Sequence, residues 1–395
     1  MASKKIATLC VNSESVTLIV QDNKYDNSFV YKSSVAYEGF VDGVFVSKES
    51  LFSAVRSLVE ECRALAFCDP KSILVGVPGA FTTAVTKFVS TDLDTVRKVT
   101  DTDIDALYDI GNTYADSAEY ITITAAPIYF TADKHNNTIN PYIITSDKLT
   151  CLMSYVLCER KFIEIFKELS PIIDVEFEFH STTMAQANYI VKPDLRDEGV
   201  ILVDVGYTSS TVSYVKGDGI VHQMSFDLGG GTIAADLYLK QNIYFPHARA
   251  LVNKVNLNLS PTEADEYFVD AGGKVINYKI SEINEFVGNR VQNIADNIKR
   301  AIELSGDKVD KNSMILLTGS GISNMAGAKD IIEKTCQRYV DVIGADLAIL
   351  NKPKDSGIAG LVLFQQKNTT SSIFATYLSK IKGAISRLRR NNNAK

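Results

Sequence analysis

A chain of 395 residues, 46% hydrophobic and 22% charged, has the composition of an ordinary globular protein long enough for two or more domains. Its net charge of -6, with acidic and basic residues mixed along most of the chain, excludes a general pull towards nucleic acid. No run approaches the ~20 apolar residues that span a bilayer, and Lys4 and Lys5 lead straight into a strand and not into a signal peptide, so the expected location is cytoplasmic. The cysteines Cys10, Cys62, Cys68, Cys151, Cys158 and Cys336 show no C-x-x-C spacing and are expected as buried reduced thiols. The histidines His135, His180, His222 and His247 form no short ligand pair, so metal and nucleophile-base chemistry have no motif behind them.

Strands alternating with longer amphipathic helices predict an α/β protein. The first unit opens with a hairpin at 6 to 20, followed by a β segment near Ser28 to Glu38, a turn from Gly39 to Gly43, a helix from Lys48 to Ala66 and the strand "SILVGVP" at 72 to 78. A different texture then runs from 81 to 157: "TTAVTKFVS", a helix starting at Thr100-Asp101-Thr102-Asp103, "YITITAAPIYFTAD" and "LTCLMSYVLCE". This reads as a compact α+β insert. A helix at 159 to 169 returns to the first unit, and "VKPDLRDEG" (191 to 199) reads as a linker into the second.

The second unit restarts the opening pattern. Setting Cys10 against Asp204 places Asn12 against Gly206, each followed by a Ser/Thr-rich turn and an alternating strand. A tight turn of Gly, Ser and Thr presents backbone N–H groups and hydroxyls to an anion such as a phosphate chain. An Asp at its mouth can hold Mg²⁺ through water, since Mg²⁺ keeps most of its hydration shell. Alone this is an ordinary hairpin turn. Two further stretches strengthen the ligand reading: "FDLGGGTIAADL" (226 to 237) and "MILLTGSGISNMAGAKDI" (314 to 331) each put bare backbone beside a helix start. Neither fits a P-loop or a dinucleotide fingerprint. Similar halves with such turns predict a ligand cleft between them.

In this order the motifs resemble the actin, heat-shock chaperone and sugar kinase superfamily, and within it the FtsA/PilM branch. "YEGFVDGVF" is similar to the superfamily's glycine-bracketed loop, "VDVGYTSSTVSYVKGDG" to its second phosphate motif, "NEFVGNRVQNI" to its R-V-E-E-I helix, "LLTGSGISNMAG" to its adenosine motif and "DSGIAGLVLF" to its last helix. The insert is similar to the 1C subdomain that separates FtsA and PilM from actin and MreB. The resemblance implies an actin-like (ribonuclease H-like) two-domain fold with a cleft between halves. Its divisions are subdomain 1A at 1–80 and 158–198, 1C at 81–157, 2A at 199–229 and 307–364, 2B at 230–306, a linker at 365–372 and an amphipathic helix at 373–390.

It further implies ATP and Mg²⁺, with Asp204 ordering the metal. Asn12, Ser13, Gly206, Tyr207, Thr208 and Ser209 would face phosphates, and Gly229, Gly230, Gly231, Arg249, Gly319, Ser320 and Gly321 would lie near ribose and adenine. Four positions depart from the pattern. The first hairpin carries Cys10 and Asn12 where the superfamily has an acidic residue and a glycine, and "HARALV" carries Arg249 and Val252 where it has a glutamate and a lysine. Asn12 is expected to keep the turn by adopting the left-handed conformation, whereas a neutral thiol at Cys10 is a poor ligand for a hard cation. At most a weak ATPase is expected.

The tail places Ile373, Phe374, Tyr377, Leu378, Ile381, Ile385 and Leu388 on one helical face, with Arg387 and Arg389 among the flanking cations and no acidic residue after Asp355. That pattern is expected as an interfacial helix for an anionic membrane surface, the alternative being a terminal helix packed on its own domain. The resemblance thus implies self-association into an actin-like filament, a cytoskeletal or divisome partner such as FtsZ, and peripheral attachment to the inner face of the membrane. A PilM-type adaptor is the nearby alternative; a sugar-kinase-like phosphotransferase would need a catalytic aspartate that the sequence does not display.

Overall fold

The computed structural model describes residues 5–22, 28–65, 68–114, 117–131, 137–270, 273 and 275–368. The first half contains β1 (Lys5–Val11), β2 (Ser15–Asp22), β3 (Ser28–Ala36), the small hairpin β4 (Phe40–Val41) and β5 (Val44–Phe45), α1 (Lys48–Leu65) and β6 (Ser72–Val77). The insert follows as β7 (Thr82–Lys98), α2 (Asp101–Gly111), β8 (Tyr120–Thr131), β9 (Asn137–Thr138) and β10 (Thr145–Glu159). Then come α3 (Arg160–Ile173), β11 (Glu176–Ser181), α4 (Thr182–Tyr189) and α5 (Pro193–Glu198). The second half holds β12 (Val200–Val205), β13 (Ser210–Lys216), β14 (Gly219–Phe226), α6 (Gly230–Gln241), α7 (Phe245–Val252), β15 (Glu266–Asp270), β16 (Val275–Lys279), α8 (Ile280–Leu304), β17 (Ile315–Thr318), α9 (Ala328–Cys336) and β18 (Val340–Val342). A last helix, α10 (Ser356–Asn368), returns to the first half.

The two halves carry the same sheet. One orders β3-β2-β1-β6-β11 and the other β14-β13-β12-β17-β18. In each the first three strands are antiparallel and the last two join in parallel. Both faces of these sheets are covered, so β1 and β12 are mostly apolar and buried nearly throughout, without alternation. The helices obey the complementary rule: Leu51, Ala54, Val55, Leu58, Val59 and Cys62 form the buried stripe of α1, and Ile283, Val287, Val291, Ile294 and Ile298 that of α8.

The insert has a sheet of its own, ordered β7-β10-β8-β9, with Leu93, Leu107, Phe130 and Tyr155 in its core. It also rests on the second half, where Ser154 Oγ donates to Ile220 O at 2.7 Å and accepts from Ile220 N at 3.1 Å. A side chain at Gly217 would come within 2.1 Å of Ile128 O, which is why that turn is glycine-rich.

The expected linker at 191 to 199 is different in the structure. Pro193 starts α5 at a position where its missing N–H costs nothing, and Gly199 ends it at φ 96°. Arg196, almost fully buried, donates to the carbonyls of Asn188, Val191 and Gly217 and pairs with Asp218 at 2.8 Å. The charged composition of the stretch hid a tied structural joint.

Two helices cross between the halves. At their contact a side chain on Gly360 of α10 would lie 2.8 Å from the Ala185 backbone of α4, so only glycine allows this approach. His180, buried and held neutral by burial with its pKa near 3, stacks on Phe364 of α10 at 3.7 Å. Of the cysteines, five are buried and Cys336 is half-buried, and none is paired.

Candidate functional site

The first hairpin turn, the second hairpin turn, the start of α4, the loop after β17 and the start of α10 converge on one cavity of about 70 Å³ between the halves. Asn12 and Ser13 reach it from the first turn and Gly206, Tyr207 and Ser209 from the second; Asp204, Gly319 and Ser320 complete the second-half wall. Thr208, Gly229, Gly230, Gly231, Gly321 and Arg249 do not line it.

The first turn is held from outside. Asn12 N–H donates to Ser15 O at 2.9 Å, and Tyr37 Oη donates to Asn12 O at 2.8 Å. Asn12 does not adopt the left-handed conformation expected of it, since it is absent from the positive-φ residues. The aligned Gly206 also has negative φ and is needed for closeness, a Cβ there falling 2.8 Å from Ser209 O. Cys10 is buried beside the turn and donates to Asn12 Oδ1 at 3.6 Å. Burial, then the Asp204 and Asp355 charges, push its thiol up to about 12, so it offers no anion to a metal.

At the cavity floor Asp204 Oδ2 accepts from Gln186 Nε2 at 2.6 Å, and the same amide donates to Ser356 Oγ at 2.9 Å. Burial raises the Asp204 pKa, the Gln186 hydrogen bond opposing it. Thr182 Oγ1 is buried without a hydrogen-bond partner, and its residue lines the cavity. An under-coordinated carboxylate, an unpartnered hydroxyl, Lys354 and two small-residue turns form a donor set that suits a phosphate-bearing ligand with a hydrated cation.

The turns are nevertheless bonded to each other. Thr208 N–H donates to Ser13 Oγ at 3.0 Å and Thr208 Oγ1 donates to Phe40 O at 3.1 Å, both across the cleft. Gly230 N–H donates to Gly206 O at 3.0 Å, Gly231 N–H to Tyr207 O at 2.7 Å and Gly321 N–H to Val205 O at 2.8 Å. A Cβ on Gly230 would fall 2.4 Å from Gly321 O, so these glycines bring protein loops together. Arg249 faces the turns as well, with Nη2 3.4 Å from Glu14 Oε2.

Sequence reading missed Gln186, Thr182, Thr183, Lys354, Ser356 and Gly357. The available signal was the capping residue Ser181, whose Oγ accepts from Met184 N–H at 3.1 Å, followed by small residues that allow a close helix crossing. Among the described residues no cluster of three or more His, Cys, Asp or Glu is placed to hold a metal, and no helix is long and apolar enough to cross a membrane. Ile373, Phe374, Tyr377, Leu378, Ile381, Ile385, Leu388, Arg387 and Arg389, expected from sequence to meet a membrane, lie outside the described residues.

No family model matches the chain. It is 19% identical over 309 residues to the cell division protein FtsA of Buchnera aphidicola subsp. Baizongia pistaciae, covering 76% of this chain and 73% of that protein. It is 19% identical over 305 residues to FtsA of Streptococcus pneumoniae serotype 2, covering 75% and 66%. Among solved structures it matches a PilM-PilN type IV pilus biogenesis complex with TM-score 0.59 at 10% identity, covering 91% of this chain and 98% of that one. It matches MreB5 of Spiroplasma citri bound to ADP with TM-score 0.53 at 12% identity, covering 92% and 97%. These likenesses establish an actin-like fold, and they agree with the resemblance to the FtsA/PilM branch.

Proposed function

From an actin-like chain whose sequence resembles the FtsA proteins, we propose an adaptor of the FtsA type. It binds ATP with Mg²⁺ between its halves, self-associates, and links a cytoskeletal partner such as FtsZ to the inner face of the cell membrane. The observation that carries this reading is the separate four-stranded sheet inserted between β6 and α3, at the place that the resemblance gives to 1C. The FtsA names of the sequence relatives support the same reading.

Asp204 would hold the hydrated cation, and Ser13, Gly206 and Ser209 would meet phosphates once the turns part. Bound nucleotide would supply a polyanion bridging the halves. The chain's own groups do the rest: Gln186 orients the Asp204 carboxylate, and the neutral Cys10 thiol leaves the first turn without a second acid. The nucleotide therefore acts by setting interdomain geometry, with turnover far below the ~1 to 10³ s⁻¹ of ordinary enzymes. Residues 373 to 390 supply the membrane contact, their apolar face and cations acting together.

Cosedimentation with lipid vesicles tests the reading. The full chain is expected to pellet strongly with anionic vesicles, less with neutral ones and less again at high salt, and to carry FtsZ with it. A chain ending at Thr370 that still floats with vesicles removes the tail as anchor, and dispersed particles at all concentrations on lipid monolayers remove the filament.

A further inference from the structure

Four segments meet beside the cleft. Glu14 leaves the first-half turn, Tyr207 the second-half turn, Gly231 opens α6 and Arg249 sits on α7. Arg249 Nη2 lies 3.4 Å from Glu14 Oε2, in the opposite half, and its guanidinium carbon is 5.5 Å from the Tyr207 ring centroid. The ring rests on Gly231, where an added Cβ would fall 2.4 Å from it. Beneath them Ser13 accepts the Thr208 N–H, a donor that the phosphate reading assigns to ligand.

We infer that Glu14, Arg249 and Tyr207 form a gate that holds the two turns together, so that Arg249 and Tyr207 oppose nucleotide entry instead of contacting it. The identity of the entering ligand rests on the nucleotide reading above; the gate rests on the side chains themselves. Burial raises the Glu14 pKa while Arg249 opposes the rise, in keeping with a pair drawn partly out of water. A ligand that binds only the open form has its apparent dissociation constant multiplied by the inverse of the open fraction. An exposed ion pair and a cation–π contact each shift such an equilibrium by only a few-fold, so removal of either side chain should tighten binding by about 3- to 10-fold.

The test uses the full chain and its variants Glu14→Gln, Arg249→Ala and Tyr207→Ala. Calorimetry with ATP and Mg²⁺ measures affinity, and hydrogen–deuterium exchange over residues 206–210 and 229–233, without nucleotide, measures closure. The gate requires tighter binding and faster exchange in all three variants; Glu14→Gln, an isosteric change on a partly exposed side chain, keeps the test alive if another variant misfolds. Unchanged or weaker binding by the variants overturns it and returns Arg249 and Tyr207 to the role of ligand contacts. If neither the parent chain nor any variant binds ATP, the nucleotide reading fails, and exchange alone decides: faster exchange retains the gate, and unchanged exchange removes it.

Discussion

At Asp204 the demands of ligand binding and of stability oppose each other. Its carboxylate is raised in pKa by burial and has a single amide donor, so the folded protein favours the protonated form more than the unfolded chain does. Stability from this group is present at low pH and is lost as pH rises through its folded pKa. Asp204→Asn keeps the acceptor for Gln186 and removes the charge. It should stabilise the nucleotide-free protein by about 1 kcal/mol at pH 8 and by little at pH 4, while Asp204→Ala should weaken Mg²⁺-dependent nucleotide binding more than Cys10→Ala does. Melting curves at the two pH values and calorimetry check this; an equal shift at both pH values would show that the charge is not the cause. That Asp204 and Gly206 line the cavity was legible because strand, acid and small turn lie in one stretch, and Ser13 because the first hairpin repeats that shape without the acid. Gln186 and Ser356 were not, being 170 residues apart and brought together only by the helix crossing.

Within single elements, charged side chains tie backbone and helix ends together. At the start of α2, Asp103 accepts from Thr100 N–H at 2.8 Å and from Arg97 Nη1 and Nη2 at 2.7 and 2.8 Å. The Arg97 hydrogen bonds, the largest cause, and those from Thr100 hold its carboxyl well below the usual carboxylate range. A depressed carboxylate stabilises above its unfolded pKa and loses that contribution as pH falls through the folded value. Asp103→Ala should thus cost about 1 to 3 kcal/mol at pH 7 and progressively less below pH 4, as urea titrations can show. Arg196 is the second case. Its loss would leave three carbonyls of buried or tightly turned backbone without their donor, so Arg196→Met should cost about 2 to 4 kcal/mol by denaturant unfolding. A cost near zero would restore the linker reading of 191 to 199.

For the molecule as a whole, the repeat was legible because each half announces itself with an apolar strand, a small turn and a second strand. The docking of the insert on the second half was not, since it depends on Gly217, Gly219 and Ser154, which carry no periodic signal. Deleting 81–157 would uncover the buried Ile220, so the deletion is expected to aggregate, and a point change is the better test of self-association. Phe88, 70% exposed on the edge strand β7, is a suitable site. Phe88→Glu should alter stability by no more than about 0.5 kcal/mol and reduce assembly on lipid in electron micrographs; filaments of undiminished length would place the subunit contact elsewhere. The return of α10 sets the order in which the protein can be made. Cys10, Ile19, Leu74 and Ala185 are covered by Ala359, Leu361 and Val362, so the first-half sheet keeps a bare apolar face until the chain has been made as far as residue 362. At about 5 to 20 residues per second that delay lasts tens of seconds, during which the nascent first half presents apolar surface of the kind chaperones bind, and a ribosome stalled before residue 356 would hold a chain unable to cover the first hairpin.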